Sequence, residues 1–214
     1  MKDTLRNKNA NIAELWHLTC SQDDIKAFEQ LFYALNKPLI KFCMLYVHQK
    51  EVAEDIVSEL FTKCWQNRQK LTGILNPATY LYIAVKNQSL NYIKKYSNIH
   101  LVQIDDTDEV ALVNTYNPQK ELEKKELIFK LDKAIAALPQ QCRIVFRLIK
   151  EDGMKYKEVA EVLDISPRTV QTQLFRALKK LSLVLDADQK RTPTFSGKII
   201  TGITAMFFTI PLFF

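Results

Sequence analysis

Hydroxyl, amide and guanidinium side chains gather in Ser166-Pro167-Arg168-Thr169-Val170-Gln171-Thr172 and continue through Phe175-Arg176 to Lys179. Placed on a helix, Arg168, Thr172, Phe175, Arg176 and Lys179 share one face, with Thr169 and Gln171 on its flanks. Such a face suits a DNA major groove, because these groups reach base edges and phosphates together. At this level Phe175 has two readings, contact with a thymine methyl or packing against a neighbouring helix. A second group comprises Tyr80, Asn87, Asn91 and Lys94, with Gln88 and Lys95 beside them. An aromatic ring with amides and lysines can stack on exposed bases, hydrogen-bond their edges and hold phosphates, as single-strand recognition requires. Leu81, Tyr82, Val85, Tyr92 and Ile93 fall on the opposite side, where Tyr82 and Tyr92 read as core. The third group, Asp55, Glu59, Thr62 and Gln66, recurs at i, i+4, i+7 and i+11 as a narrow stripe on an otherwise apolar helix. An acidic strip of this kind suits docking onto a basic partner helix, and an ordinary solvated stripe is an equal reading of it alone.

None of these groups is a catalytic constellation. Cys20, Cys43, Cys64 and Cys142 are scattered with no C-x-x-C pair, and His17, His48 and His100 are isolated from one another. Neither a zinc site, a disulfide framework nor an activated nucleophile is indicated. The expectation is a protein that is not an enzyme, with no catalytic residue, no metal and no cofactor. The formal net charge of +6 gives weak support for an anionic partner.

The elements that must carry these groups are helices. Glycine is scarce and Leu, Lys, Glu, Gln and Ala dominate, so the chain reads as all-α. One helical block is expected over 21–97 and another over 119–185. Between them, 98–118 loses helical periodicity and carries Asp105, Asp106, Asp108 and Glu109, an acidic linker. A polar run and a hydrophobic tail fill 186–214. In the second block, the short amphipathic stretch Tyr156 to Leu163 is followed by Asp164-Ile165 and then Ser166-Pro167, a capping residue and a first-turn proline. Val170, Leu174, Ala177, Leu178 and Leu181 then seat a second helix on the core. This is a helix-turn-helix. Asp164 stands at the turn, where aspartate tolerates the left-handed backbone better than most residues.

The residues also carry a family resemblance. Leu138-Pro139, Arg143-Ile144-Val145-Phe146, Gly153, Tyr156-Lys157-Glu158-Val159-Ala160, Ile165-Ser166, Thr169-Val170 and Arg176-Ala177-Leu178-Lys179-Lys180-Leu181 together resemble region 4 of sigma-70 family factors. Glu54-Asp55-Ile56-Val57-Ser58-Glu59-Leu60-Phe61-Thr62-Lys63-Cys64-Trp65 resembles sigma region 2.2, with Ser58 where the family generally has glutamine. Tyr80-Leu81-Tyr82-Ile83-Ala84-Val85-Lys86-Asn87, followed by Asn91-Tyr92-Ile93-Lys94-Lys95, is similar to regions 2.3 and 2.4 of the extracytoplasmic-function group. That group commonly has tryptophan at Tyr80, arginine at Lys86 and Lys94, and aspartate at Asn91; lysine lacks arginine's bidentate fork.

The resemblance implies a sigma factor that binds core bacterial RNA polymerase and directs promoter-specific initiation. Asp55, Glu59, Thr62 and Gln66 would meet the clamp coiled coil of the largest subunit. Tyr80, Asn87, Asn91, Lys94 and Lys95 would read and melt the −10 element. Ser166, Arg168, Thr169, Gln171, Thr172, Arg176 and Lys179 would read the −35 element, with the polymerase flap as a further contact. By the same likeness the acidic linker threads toward the polymerase active site, although a solvated loop fits its composition equally well. An anti-sigma factor is an implied partner. The competing classes are a conventional helix-turn-helix regulator that is no polymerase subunit, and a DNA-processing enzyme such as a recombinase.

Met1 to Ala10 lacks the apolar core of a secretory signal, which predicts a cytoplasmic protein. Ile199 to Phe214 comprises 16 uncharged residues, whereas a spanning helix needs about 20. Packing on the protein or on an anti-sigma partner, membrane contact and disorder all remain open for this tail, and its expected role is in regulation.

Overall fold

The computed structural model describes residues 2–96 and 129–189, with side chains described over 11–96 and 129–183. The acidic linker and the hydrophobic tail lie outside the described residues. Within them the chain is helical, as expected, and without strands. It runs through α1 (Lys2–Gln22), α2 (Ile25–Val47), α3 (Lys50–Gln66), a 3₁₀ turn (Arg68–Leu71) and α4 (Pro77–Tyr96). After α5, described over 129–136, come α6 (Gln140–Lys150), α7 (Tyr156–Leu163) and α8 (Pro167–Gln189). By packing, α1 to α4 group with 147–170, and 129–146 group with 171–189. Both α6 and α8 run continuously across that division.

In the first unit α2 is the helix on which α1, α3 and α4 all pack. Its N-terminus is set by Asp24, whose carboxylate accepts from the amides of Lys26 at 2.8 Å and Ala27 at 3.1 Å, satisfying donors that a helix start otherwise leaves open. Ala27, Leu31, Leu35, Leu39 and Phe42 then recur at helical spacing and are buried. The facing ridge of α3 is Ala53, Ile56, Val57, Leu60, Phe61 and Cys64. Phe61 packs edge-on against Phe32, with centroids 5.0 Å apart, and against Phe28 at 6.1 Å. Helix α4 contributes Leu81, Tyr82, Val85 and Ser89. Tyr82 lies edge-on to Phe42, and Ser89 satisfies its hydroxyl on the Val85 carbonyl and against the Cys43 thiol. Burial, and next the neighbouring Asp152 carboxylate, which also hydrogen-bonds it, push the Tyr82 hydroxyl far above its ordinary pKa. Tyr82 is core, as its spacing predicts.

The helix α1 is an addition to the sequence reading, which began the first block at 21. Ile12, Leu15, Trp16, Thr19 and Cys20 are buried and the Trp16 indole donates to the Leu71 carbonyl at 3.2 Å. The polar run of Lys2 to Asn11 dilutes this ridge in a window scan, so the helix is hard to recognise before its partners are known. Arg68 closes the far end. Its guanidinium stacks over Trp65 at 4.2 Å, donates to the Trp65 carbonyl and pairs with Asp23. In the same unit α7 lies against α4, with the Asn76 amide donating to Glu158 at 3.4 Å.

In the second unit Ala134, Ile135, Leu138, Val145 and Phe146 are buried, as are Leu174, Ala177 and Leu181 of α8. The Cys142 thiol donates to Gln173 at 3.1 Å. All four cysteines are free and buried, and burial, with Cys20 beside it, pushes the Cys64 thiol up to about 12.

Because Leu39 is wholly buried where α2 meets its neighbours, Leu39→Ala should cost about 2–5 kcal/mol. Urea unfolding followed by circular dichroism measures it, as a lower midpoint at unchanged slope.

Candidate nucleic-acid interface

The helix-turn-helix is built by local chemistry. At the start of α7 the Glu158 carboxylate turns back to accept from the Lys155 amide at 2.7 Å. The helix ends at Asp164, which adopts φ 57° and ψ 50° and so takes the left-handed conformation expected of it. Its amide donates to Glu161, while that of Ile165 donates to Ala160 at 3.0 Å. Two residues later Ser166 starts α8: its hydroxyl accepts from the Thr169 amide at 3.0 Å and lies 2.8 Å from the Thr169 hydroxyl. Pro167 is the first helical residue, where a missing amide hydrogen costs nothing. The whole connection is 164–166.

The faces of α8 divide as its spacing predicts except at Leu178, which was expected in the core and is half-buried. Val170, Leu174, Ala177 and Leu181 are buried, and Ser166, Arg168, Gln171, Thr172, Phe175, Arg176 and Lys179 are exposed. Thr169 is half-buried, its hydroxyl tied to Ser166, so these two hydroxyls serve the helix start as well as any ligand. Phe175 is 66% exposed, which speaks against packing on a neighbouring helix, the second of its two sequence readings.

On α4, Asn87, Asn91, Lys94 and Lys95 are exposed along the side opposite Leu81, Tyr82 and Val85. Tyr80 belongs to that strip only in part. It is half-buried with its ring edge-on to Trp16 at 6.0 Å, and burial, with a smaller contribution from Cys64, raises its pKa. The ring is therefore held in part by the protein's own packing. Tyr92, expected in the core, is half-buried and stacks on Tyr96 at 4.5 Å, with the Lys95 ammonium 5.4 Å from the Tyr96 ring.

Helix α3 departs from expectation in the breadth of its polar face. Asp55, Glu59, Thr62 and Gln66 are all exposed, but so are Glu51, Glu54, Ser58 and Lys63, so the narrow stripe is a broad face. The ridge that packs on α2 and α4 takes up one side of the helix, while Val52 and Trp65, counted as apolar, sit half-buried at its borders. Lys63 is paired with Glu59 at 2.6 Å and Lys50 with Glu54 at 3.9 Å, while the Thr62 hydroxyl donates to the Ser58 carbonyl. Lys63 was missed as a member of this face, although its i+4 spacing from Glu59 was a readable signal. Among the described residues no cluster of His, Cys, Asp and Glu could hold a metal ion.

Comparison with known proteins adds a second line of observation. Residues 31–99 match the family model for sigma-70 region 2, and residues 128–181 that for sigma-70 region 4. The chain is 27% identical over 161 residues to the ECF RNA polymerase sigma-E factor of Escherichia coli K12, covering 72% of this chain and 84% of that protein. It is 22% identical over 169 residues to the RNA polymerase sigma-H factor of Pseudomonas aeruginosa, covering 76% and 88%. In fold it is similar to the sigma factor RpoE of Bartonella quintana, solved with the anti-sigma factor NepR. The TM-score is 0.56 at 20% identity, over 77% of this chain and 99% of that one.

The backbone of Asp164 provides a direct check on the turn. Glycine carries no Cβ penalty in the left-handed region, so Asp164→Gly should raise stability by up to about 1 kcal/mol. Ser166→Ala, which removes the cap, should lower it by about 1 kcal/mol. Thermal melting of the two variants beside the wild-type protein measures both shifts.

Proposed function

The chain belongs to the RNA polymerase sigma-70 family, in its extracytoplasmic-function group, and is a polymerase-binding factor for promoter-specific transcription initiation; on that premise we propose how its residues divide the work. Residues 21–97 form the part that binds core polymerase and the −10 element, and residues 119–185 the part that binds the −35 element. Residues 98–118 link them, and 186–214 follow as a polar linker and tail.

Asp55, Glu59, Thr62 and Gln66 dock on the clamp coiled coil of the largest polymerase subunit. The exposure of all four on one face supports this assignment. On α4, Asn87, Asn91, Lys94 and Lys95 hydrogen-bond the bases and hold the phosphates of the melted −10 strand, with the exposed part of the Tyr80 ring available for stacking. Ser166, Arg168, Thr169, Gln171, Thr172, Arg176 and Lys179 contact the −35 duplex, Arg176 and Lys179 combining charge with reach to guanine edges or phosphates.

The single observation that carries this division is α8. Of the apolar residues expected to seat it, Val170, Leu174, Ala177 and Leu181 are buried and Leu178 is half-buried, and every group suited to a major groove except the half-buried Thr169 is exposed. Nucleotidyl transfer belongs to the polymerase, and this chain contributes binding, orientation and strand capture. The family matches in both blocks disfavour a regulator acting without being a polymerase subunit. An anti-sigma factor, as in the RpoE complex, is the regulatory partner we propose, and the cytoplasm is the compartment. Among the described residues no helix is long and apolar enough to cross a membrane.

Run-off transcription with purified bacterial core polymerase on a pool of genomic promoter fragments tests the reading. Discrete starts should require the wild-type protein and fall at least about tenfold with Asp55→Ala/Glu59→Ala, the loss of roughly 1.4 kcal/mol or more of docking. Specific duplex binding by the protein alone, with no binding to core, would instead return the conventional regulator.

A further inference from the structure

We propose that residues 199–214 dock back in cis on the C-terminal half of α8 and mask part of its duplex-reading face until promoter DNA takes their place. The proposal rests on α8 reading DNA and adds a regulation to that reading. On α8, Val170, Leu174, Ala177 and Leu181 are buried and Leu178 is half-buried, while Phe175 and Leu183 are 66% and 61% exposed. A helix turning about 100° per residue sets Phe175 and Leu183 within about 80° of each other, with Lys179 between them and Leu178 bordering Phe175 on the core side. The methylene stem of Lys179 joins them into one apolar strip while its ammonium reaches water. Single apolar side chains in water need no partner, whereas a joined strip marks a contact surface. DNA accounts for only one end of it. The residues of a recognition helix that meet base edges lie near its N-terminus, and Leu183 follows the first helical residue, Pro167, by about 24 Å along the axis.

Chain length and sequence pattern name the occupant. Helix α8 runs to Gln189, and the run 190–198 then carries Pro193, Ser196 and Gly197, residue types that favour a reversal. A run of that length spans up to about 30 Å, whereas Leu183 and Phe175 lie about 9 Å and about 21 Å back along the helix from Gln189. The segment that follows therefore reaches both. Within it Ile199, Ile203, Met206, Phe207 and Ile210 recur at i, i+4, i+7, i+8 and i+11, one apolar stripe at helical period, and Thr201, Thr204 and Thr209 fall off it. The segment carries no charged side chain that docking would desolvate. A tether this short holds it at an effective concentration in roughly the millimolar range. Seated on Phe175 and Leu183, it lies over Lys179 and beside Thr172 and Arg176, groups assigned to the duplex, so segment and DNA compete for one face. A face covered about four-fifths of the time binds DNA about fivefold more weakly than an open one.

The test has two readouts on the full-length protein. For the contact, photoreactive benzoylphenylalanine is placed at position 183, and equal amounts of isotopically light and heavy protein are mixed, irradiated and mapped by mass spectrometry. Cross-links should join position 183 to 199–214 within one copy, and the promoter fragment that the holoenzyme selects should reduce them. For the masking, promoter affinity is measured for holoenzyme with the wild-type factor, a factor ending at Lys198, Ile203→Ser/Phe207→Ser and Leu183→Ser. The truncation and the double variant should each bind about fivefold more tightly, and Leu183→Ser should show part of that gain. Thermal melting of Leu183→Ser should match the wild-type protein, since the side chain is exposed.

Cross-links that form only between copies assign the segment to a second molecule and overturn the proposal, as does the absence of any cross-link to 199–214. Sedimentation of the full-length but not the truncated protein with phosphatidylglycerol vesicles, without a cross-link, gives the segment to a lipid surface instead. Promoter affinity that is unchanged or lowered by truncation overturns the masking. Arg176→Ala in the truncated factor separates these failures from that of the underlying reading. If it weakens promoter binding, α8 reads the duplex and only the docking of 199–214 is misassigned. If it has no effect, the reading of α8 falls and the masking falls with it.

Discussion

The buried ridge of α2 is the constraint on which the first unit depends. Three helices use it, and each has to turn its apolar side toward Leu31, Leu35, Leu39 and Phe42. Once α3 commits Ile56, Val57, Leu60 and Phe61 to that ridge, the helical repeat leaves Asp55, Glu59 and Thr62 no direction but outward. The same holds for α4, where burial of Leu81, Tyr82 and Val85 turns Asn87, Asn91 and Lys94 away from the core. The two surfaces assigned to polymerase and to the −10 strand are thus complements of one core, and a change that loosens α2 would disturb both.

In α8 the same division is made by a different device. A left-handed Asp164 ends one helix and the Ser166 hydroxyl starts the next within three residues, so the phase of α8 is set at its first turn. From there the repeat alone decides which side chains face out. The Ser166 and Thr169 hydroxyls are committed to the cap, while Gln171, Arg176 and Lys179 further along are exposed.

Legibility in the sequence followed how local each determinant is. The cap, the turn and the two faces of α8 were readable, because Ser166-Pro167, Asp164 and the spacing of Val170, Leu174 and Leu181 act within a few residues. Helix α1 was not, since Trp16 owes its burial to Leu71 and Tyr80, distant in the chain. Tyr80 itself was placed on the right side of α4, but its half-burial is a tertiary effect that no wheel contains. On α3 the acidic residues were found, and the breadth of their face was not, because a wheel cannot say how far a flanking Val52 or Trp65 is covered. The acidic linker and the tail lie outside the described residues, and their expected roles stay with the sequence.

The ion pair between Glu59 and Lys63 gives the α3 face one more property. A carboxylate already matched with a cation exerts less pull on a distant positive charge, so a cation that met Glu59 would exchange one ammonium partner for another rather than fill an empty site. Such an exchange is nearly isoenergetic in its Coulomb part, and random basic surfaces gain little from it. With both side chains more than half exposed, the pair is worth about 1 kcal/mol or less, and Lys63 partly screens the Glu59 charge from other cations.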